Sequence, residues 1–484
     1  MAILAIDQGT TSTRAMVFSA DREVLSSASR PLAQHFPCDG WVEHDPEDIW
    51  TAVQQVVAEA ARAITGPIAA IGITNQRETT VVWERATGRP IHRAIVWQDR
   101  RTAEVCSRLR DAGLEPLIQA RTGLVLDAYF SATKIAWIID HVAGARARAE
   151  RGELLFGTID CFMVWRLTAG HVHATDATNA SRTLLYDIRS NQWDDDLLAQ
   201  FRVPRAMLPE VRDCSADFGS TTILGAPVPI TGVVGDQQAA AIGQACLEPG
   251  MAKATFGTGC FVLLNTGAVP LVSHNRLLTT VAWRISGATS YALEGSVFNA
   301  GTVVQWLRDR LRILPDAAAS ERIAASVGDT RGVYLVPAFT GLGAPYWDPD
   351  ARGAIVGLSR DSSDGEIVRA ALESVAYQCR DLLDAMAADG AVPQRLRVDG
   401  GMAANGWLMQ FLSDLTALPI DRPRSTETTA LGAALLAGMR VGVYPPLALQ
   451  GSSWRAERSF AAAMDPTRRE ALYAGWKRAV GRVR

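Results

Sequence analysis

A chain of 484 residues has room for two to four domains. Hydrophobic residues make up 48%, charged residues 20% and aromatics 7%, which excludes a disordered chain and a small cross-linked scaffold. The formal net charge of −3 excludes the basic footprint of a dedicated nucleic-acid binder or a polybasic membrane-surface protein, so small molecules or other proteins are the expected partners.

Seven cysteines lie far apart with no C-x-x-C pair, which suits a reducing cytosol. The first residues, MAILAIDQGTTSTR, lack the basic start and long apolar core of a secretory signal, and a cytoplasmic location is expected. Ala254–Asn275 is uncharged, but its glycines and Pro270 interrupt it; it reads as two short buried strands and a turn, and no membrane span is expected. Three lysines (Lys134, Lys253, Lys477) stand against 45 arginines, and none sits in a Walker A loop or a protein-kinase strand. G-x-G-x-x-G and G-x-S-x-G are also absent, which removes the main sequence support for Rossmann dehydrogenases and α/β-hydrolases. His171 and His173 have ligand-like spacing but read as a polar strand face.

In chain order, Ala2–Asp7 is an apolar strand, Gln8–Thr11 a glycine-centred turn and Arg14–Phe18 a returning strand. Within it, Gly9 admits an anion close to the backbone, Thr10, Thr11, Ser12 and Arg14 offer donors to phosphate oxygens, and Asp7 can hold hydrated Mg²⁺. Asp and Gly also suit a purely structural turn. Asp45-Pro46-Glu47-Asp48 starts a helix whose inward face is Ile49, Val53, Val56, Val57, Ala60 and Ile64. Between two apolar strands, Arg77 and Glu78 set fixed donors beside fixed acceptors, which matches hydroxyls, although a surface ion pair reads the same way. Trp97, Tyr129 and Phe261 can wall such a site or simply fill the core. A helix is expected from about Ser131, with Ile135, Ile138, Ile139 and Val142 on one face.

Pro229–Val234 is an apolar strand that delivers Asp236 to a helix N-terminus, where the dipole favours a low-pKa carboxylate; Asp236 is then a cap or a general base. Gly243–Gly250 is a plausible junction between domains 1–245 and 246–484. Beyond it the hairpin pattern recurs as Met251–Phe256, Gly257-Thr258-Gly259 and Cys260–Asn265, so a second turn can grip the same phosphates. A helix follows Gly301, with Val304, Leu307 and Leu311 inward, and Leu396–Val398 leads into Asp399-Gly400-Gly401 and Asn405, a turn against which a flat nucleotide can lie. Two α/β domains around a cleft are expected.

Taken in order, DQGTTSTR, GWVEHDPEDIW, GITNQRETT, IVWQDRRT, RGELLFGT, TDATNASRT, GDQQAA, MAKATFGTGCF, YALEGSVFNAG, VPAFTGLGAPYWDP, RVDGGMAAN and TALGAA resemble the FGGY carbohydrate kinases from residue 7 to about residue 435. NQRETT and IVWQDRRT are similar to the members that act on glycerol. The resemblance implies two actin-like (ribonuclease H-like) ATPase domains with an interdomain cleft, in which ATP·Mg²⁺ phosphorylates glycerol to sn-glycerol 3-phosphate. Carried over residue by residue, it puts Arg77, Glu78, Trp97, Tyr129, Asp236, Gln237 and Phe261 at glycerol, with Asp236 as base. Thr10, Thr11, Ser12 and Arg14 then meet the phosphates, Asp7 the magnesium, and Thr258, Gly301, Gln305, Gly401 and Asn405 the nucleotide. Family members often form dimers or tetramers. Phe218–Pro229 carries neither the phosphorylatable histidine nor the Gly-Thr-Arg turn through which some relatives are controlled. Two other readings stay open: a kinase for another small polyol or ketose, and an actin-like ATPase that switches shape around a protein partner.

Overall fold

The apolar run that opens the chain folds as β1 (Ala2–Gln8), turns at Gly9 and returns antiparallel as β2 (Ser12–Phe18), with Asp7 opposite Arg14. The structure, a computed structural model, describes residues 1–449, 451 and 454–484. β3 (Val24–Pro31) pairs antiparallel with β2, whereas β4 (Ile68–Asn75) runs parallel to β1 and β5 (Val228–Gly235) parallel to β4. The order is β3-β2-β1-β4-β5.

The chain then builds that order again. β6 (Ala252–Phe256) and β7 (Cys260–Gly267) form a hairpin, β8 (Ala288–Val297) pairs antiparallel with β7, and β9 (Leu396–Asp399) and β10 (Ile420–Pro423) add in parallel beside β6. The second order, β8-β7-β6-β9-β10, repeats the first, with Leu278–Ile285 and Ala456–Phe460 at its edges. Parallel neighbours need long crossovers, and both sheets are accordingly covered by helices.

Local chemistry explains most of these helices. α1 (Pro46–Arg62) starts where Asp45 accepts the Glu47 N–H at 3.0 Å and Pro46 takes the first turn; Ile49, Val53, Val56, Val57 and Ala60 are buried. α2 (Ser131–His141) carries the expected apolar face, and α3 (Asp236–Gly243) follows β5 directly. The later half adds α4 (Gly301–Asp309), α5 (Asp364–Ala388), α6 (Gly406–Thr416) and α7 (Thr428–Arg440). α5 begins with a full capping box between Ser363 and Glu366.

Packing does not stop at residue 245. α7 comes from the later half of the chain, yet it lies on β1, β4 and β5 of the first sheet and against α3. Gly432 permits this: a Cβ there would stand 1.9 Å from the Ala239 carbonyl oxygen, so only a glycine lets the two helix backbones approach so closely. Ile3, Ala5 and Ala70 share one core with Leu263, Ala282 and Leu436, which locks the two sheets together beneath the hairpin tips.

Three local expectations are corrected. α4 ends at Asp309, and Leu311 is 41% exposed rather than inward, because the chain leaves the helical path before the third apolar position. α2 ends at His141, and Val142 is extended. His171 and His173 precede a short strand instead of lying on one; the His173 ring nitrogen is 2.9 Å from the Phe156 carbonyl oxygen, and burial pushes its pKa down to about 4.

Candidate active site

Strand ends converge between the two sheets on a cavity of about 190 Å³. Asp7, Thr10 and Thr11 reach it from the first hairpin, Arg77 and Glu78 from the end of β4, and Asp236 and Gln237 from the start of α3. Trp97, Tyr129, Thr258 and Phe261 complete the wall. A second cavity of about 530 Å³ opens within the later half and is lined by Thr258, Gly301, Gln305, Gly401 and Asn405. Gly257 and Thr258 line both, so the tip of the second hairpin is their common wall. Ser12 and Arg14 line neither; Arg14 Nη1 instead donates to Glu427 at 2.9 Å, across the cleft.

The charged groups of the small cavity are wired from behind. Arg77 is 2% exposed and donates to Glu294 at 2.5 and 3.0 Å, while its Nε lies 3.2 Å from Asp236 Oδ1. Arg182 donates to Glu78 at 2.6 Å and to Glu294 at 2.9 Å. Glu294 stands in the middle of β8 and thereby ties two arginines of the earlier half to a strand of the later one. The surface ion-pair reading of Arg77 and Glu78 therefore fails: both are buried and held by partners far along the chain. Glu78 has φ 59°, and its carbonyl accepts the Ser131 hydroxyl at 3.0 Å and that of Thr80 at 3.1 Å, which holds this uncommon conformation in place.

Burial dominates the proton affinities. Although burial alone would raise the Glu294 carboxyl, Arg182 and Arg77 hold it down at about 2. Burial lifts Asp236 above the ordinary carboxylate value, opposed by Arg77 and Lys253, which corrects the low pKa expected from the helix dipole alone. Asp7 is pushed up to about 7 by burial, against the pull of Arg14 and with further upward pushes from Asp236 and Glu427.

The first turn is braced by side chains. Trp97 Nε1–H donates to Thr10 Oγ1 at 2.9 Å, and Gln76 Nε2 donates to Gln8 Oε1 at 3.0 Å and to the Gly9 carbonyl at 3.2 Å. Trp97 meets Tyr129 and Phe261 edge to face, at 5.6 and 5.9 Å between centroids. The second turn is braced by backbone: Gly301 N–H donates to the Gly257 carbonyl at 2.9 Å, and a Cβ on Gly301 would sit 2.5 Å from that oxygen. Asn405 caps α6 by accepting the Leu408 N–H at 2.9 Å and is also a lining residue of the larger cavity.

Sequence reasoning passed over Glu294, Arg182 and Lys253. One signal was readable: Glu294 is the single charge in β8 and Lys253 the single charge in β6, and a lone charge inside an otherwise apolar strand needs a partner or a task.

Residues 2–243 match the FGGY family of carbohydrate kinases, N-terminal domain, and residues 252–441 match its C-terminal domain. A protein called Glycerol kinase 1 from Pseudomonas aeruginosa is 59% identical, with 100% of this chain and 99% of that protein covered. A Glycerol kinase from a Bradyrhizobium species is also 59% identical, over 99% of this chain and 97% of its own. Among solved structures, Plasmodium falciparum glycerol kinase with ADP superposes with a TM-score of 0.91 at 37% identity, covering 100% of this chain and 98% of that one. Gluconate kinase from Lactobacillus acidophilus superposes at 0.88 with 22% identity, a likeness of fold. The doubled sheet is thus the actin-like ATPase architecture, and with both halves matched in order the chain belongs to the FGGY family of carbohydrate kinases.

Proposed function

We propose that this chain transfers the γ-phosphoryl group of ATP to a terminal hydroxyl of glycerol, giving sn-glycerol 3-phosphate and ADP. The carrying observation is the shared wall: a cavity of about 530 Å³ lies on the other side of Gly257 and Thr258 from one of about 190 Å³ walled by aromatic side chains and buried charge.

Asp236 is the base in this reading. It is the member of the Arg77–Glu294–Arg182–Glu78 neighbourhood that keeps substantial exposure, 28% of its side chain, toward the cavity. The glycerol O–H gives its proton to the Asp236 carboxylate as its oxygen forms the new bond to phosphorus; the bond from phosphorus to the ADP oxygen breaks, and ADP leaves with the electron pair. A loose phosphoryl-transfer transition state asks little of the base beyond position. Trp97, Tyr129 and Phe261 face the carbon–hydrogen edges, and Glu78 and Gln237 face the remaining hydroxyls. Thr10, Thr11 and the Gly9 backbone meet the phosphates from one side and the Gly257–Gly259 turn from the other. Arg14 joins them by exchanging Glu427 for a phosphate oxygen.

Asp7 is the residue that would hold Mg²⁺. It brings a hard oxygen ligand into a cavity where burial, with Asp236 and Glu427 adding to it, raises its pKa, and a divalent cation would favour the charged carboxylate. No cluster of three or more metal-ligating side chains occurs among the described residues, which suits a cation held by one carboxylate, water and phosphate oxygens. When bound, it neutralises charge on the transferring phosphoryl group. Among the described residues no helix is long and apolar enough to cross a membrane.

The test is ADP release by the purified chain with ATP and Mg²⁺, compared across glycerol, dihydroxyacetone, erythritol and xylulose. The expected result is polyol-dependent turnover with the highest kcat/KM for glycerol. ATP hydrolysis that ignores added polyol, or a higher kcat/KM for xylulose, would overturn the reading.

A further inference from the structure

In a chain that uses arginine at 45 of its 48 basic positions, Lys253 is an exception that is also completely buried. It sits in β6, four residues before the second turn. Its ammonium donates to Gln237 Oε1, to Thr255 Oγ1 at 2.9 Å and to the Phe261 carbonyl at 3.4 Å, so each of its three protons has an acceptor. The charged groups around it are Asp236, Glu294, Asp399 and Arg77.

The contact with Gln237 decides which way that amide faces. An ammonium has no acceptor lone pair, so the atom set against Nζ has to be the amide oxygen. The NH₂ half of Gln237, a residue that lines the small cavity, then meets no acceptor in the protein among the described residues. The backbone N–H of Gln237 meanwhile donates to Asp236 Oδ1 at 2.7 Å, so the residue is held through its backbone as well as through its side-chain carbonyl. Arginine does not substitute readily: its planar fork is longer, whereas the three acceptors here surround a single compact point.

We propose that Lys253 is a positioning residue for substrate recognition: by occupying the Gln237 carbonyl it commits the Gln237 amide to donating into the cavity, to an oxygen of the alcohol substrate. The assignment rests on the reading of the cleft given above. It makes the second half of the chain a determinant of alcohol affinity through a residue that does not line the cavity.

The experiment is a double-mutant cycle on steady-state constants for Lys253→Met, Gln237→Leu and the pair. Each single variant should raise the glycerol KM about tenfold, the upper end of the net worth of one neutral hydrogen bond, with the ATP KM within about twofold of the parent. The double variant should be no worse than the weaker single one, because the lysine acts through the glutamine. Multiplying losses, an unchanged glycerol KM, or an ATP KM that rises as far as the glycerol KM would each overturn the assignment. If Lys253→Met fails to fold, the cycle is run with Lys253→Arg, for which the same non-additivity is expected and multiplying losses again refute the assignment. A parent protein without glycerol-dependent ADP release refutes the functional reading itself, before any variant is compared.

Discussion

The two hairpin tips occupy the same place in two sheets of the same strand order, yet they are built from different materials. The first, Gln8–Thr11, is held by side chains from Trp97 and Gln76, and the strands beside it end in charge: Arg77 and Glu78 after β4, Asp236 after β5. The second, Gly257–Gly259, is held by the Gly301 backbone; its neighbour β9 ends at Asp399, whose carboxylate is taken up by Gln244 and Thr428, and Gly400 and Gly401 follow it. One topology thus gives a cleft lined by charged strand ends and, across the second tip, a cavity with Gly257, Gly301 and Gly401 in its wall. The difference teaches that the strand order sets where a ligand can sit, while the residues at the strand ends decide what is done to it.

The largest effect expected on this contrast comes from Glu294→Gln. Arg77 and Arg182 would then face each other without their shared carboxylate, and urea unfolding should show a loss of about 3–5 kcal/mol. A loss under about 1 kcal/mol would mean that the charged half does not depend on this tie. Asp236→Asn keeps the Arg77–Glu294–Arg182–Glu78 contacts and removes the proposed base; turnover should fall by at least ~10²-fold. Calorimetric glycerol binding should stay near that of the parent, and near-normal turnover would remove Asp236 from the chemistry.

Gly301→Ala probes the other half. The added carbon must push the Gly257 carbonyl away, so ADP affinity measured by calorimetry should fall about tenfold, the lower range of overpacking costs. Glycerol affinity without nucleotide should change far less; an equal loss of both would erase the division of labour between the two tips.

The smallest effect concerns His44, whose Nδ1 lies 3.2 Å from the Gln76 amide that braces the first turn. Burial, with His35 nearby, pushes its pKa down to about 4 from an ordinary value near 6.5. The unfolded chain therefore takes up a proton below pH 6.5 that the folded chain refuses until about pH 4, so this contribution to stability is present above 6.5 and is lost as pH falls through that window. His44→Gln should flatten the acid limb of the stability curve by about 1 kcal/mol per pH unit. An unaltered slope between pH 6.5 and 4 would show that His44 does not set it.

Much of the site was legible because its parts are local. The first hairpin, the second hairpin and the start of α1 follow from apolar runs, glycine turns and a capped proline within a dozen residues. Glu294 was not legible in the same way, since its partners Arg77 and Arg182 lie 217 and 112 residues away. The direction of the Asp236 shift was misjudged for a related reason: a helix terminus is visible in sequence, but the burial that outweighs it is not.

What the amino-acid order settled alone was the repeated strand–turn–strand plan, the absence of a lysine-based phosphate loop and the residue types at each strand end. Those depend on spacing and on side-chain chemistry over a few neighbours. Tertiary structure decided that α7 lies on the opposite sheet, that one glutamate serves two arginines and that Lys253 faces Gln237. The first depends on apolar faces and a glycine that fit only in contact, the other two on which buried charge finds which partner once water is excluded; all are decided only when the two sheets close on each other.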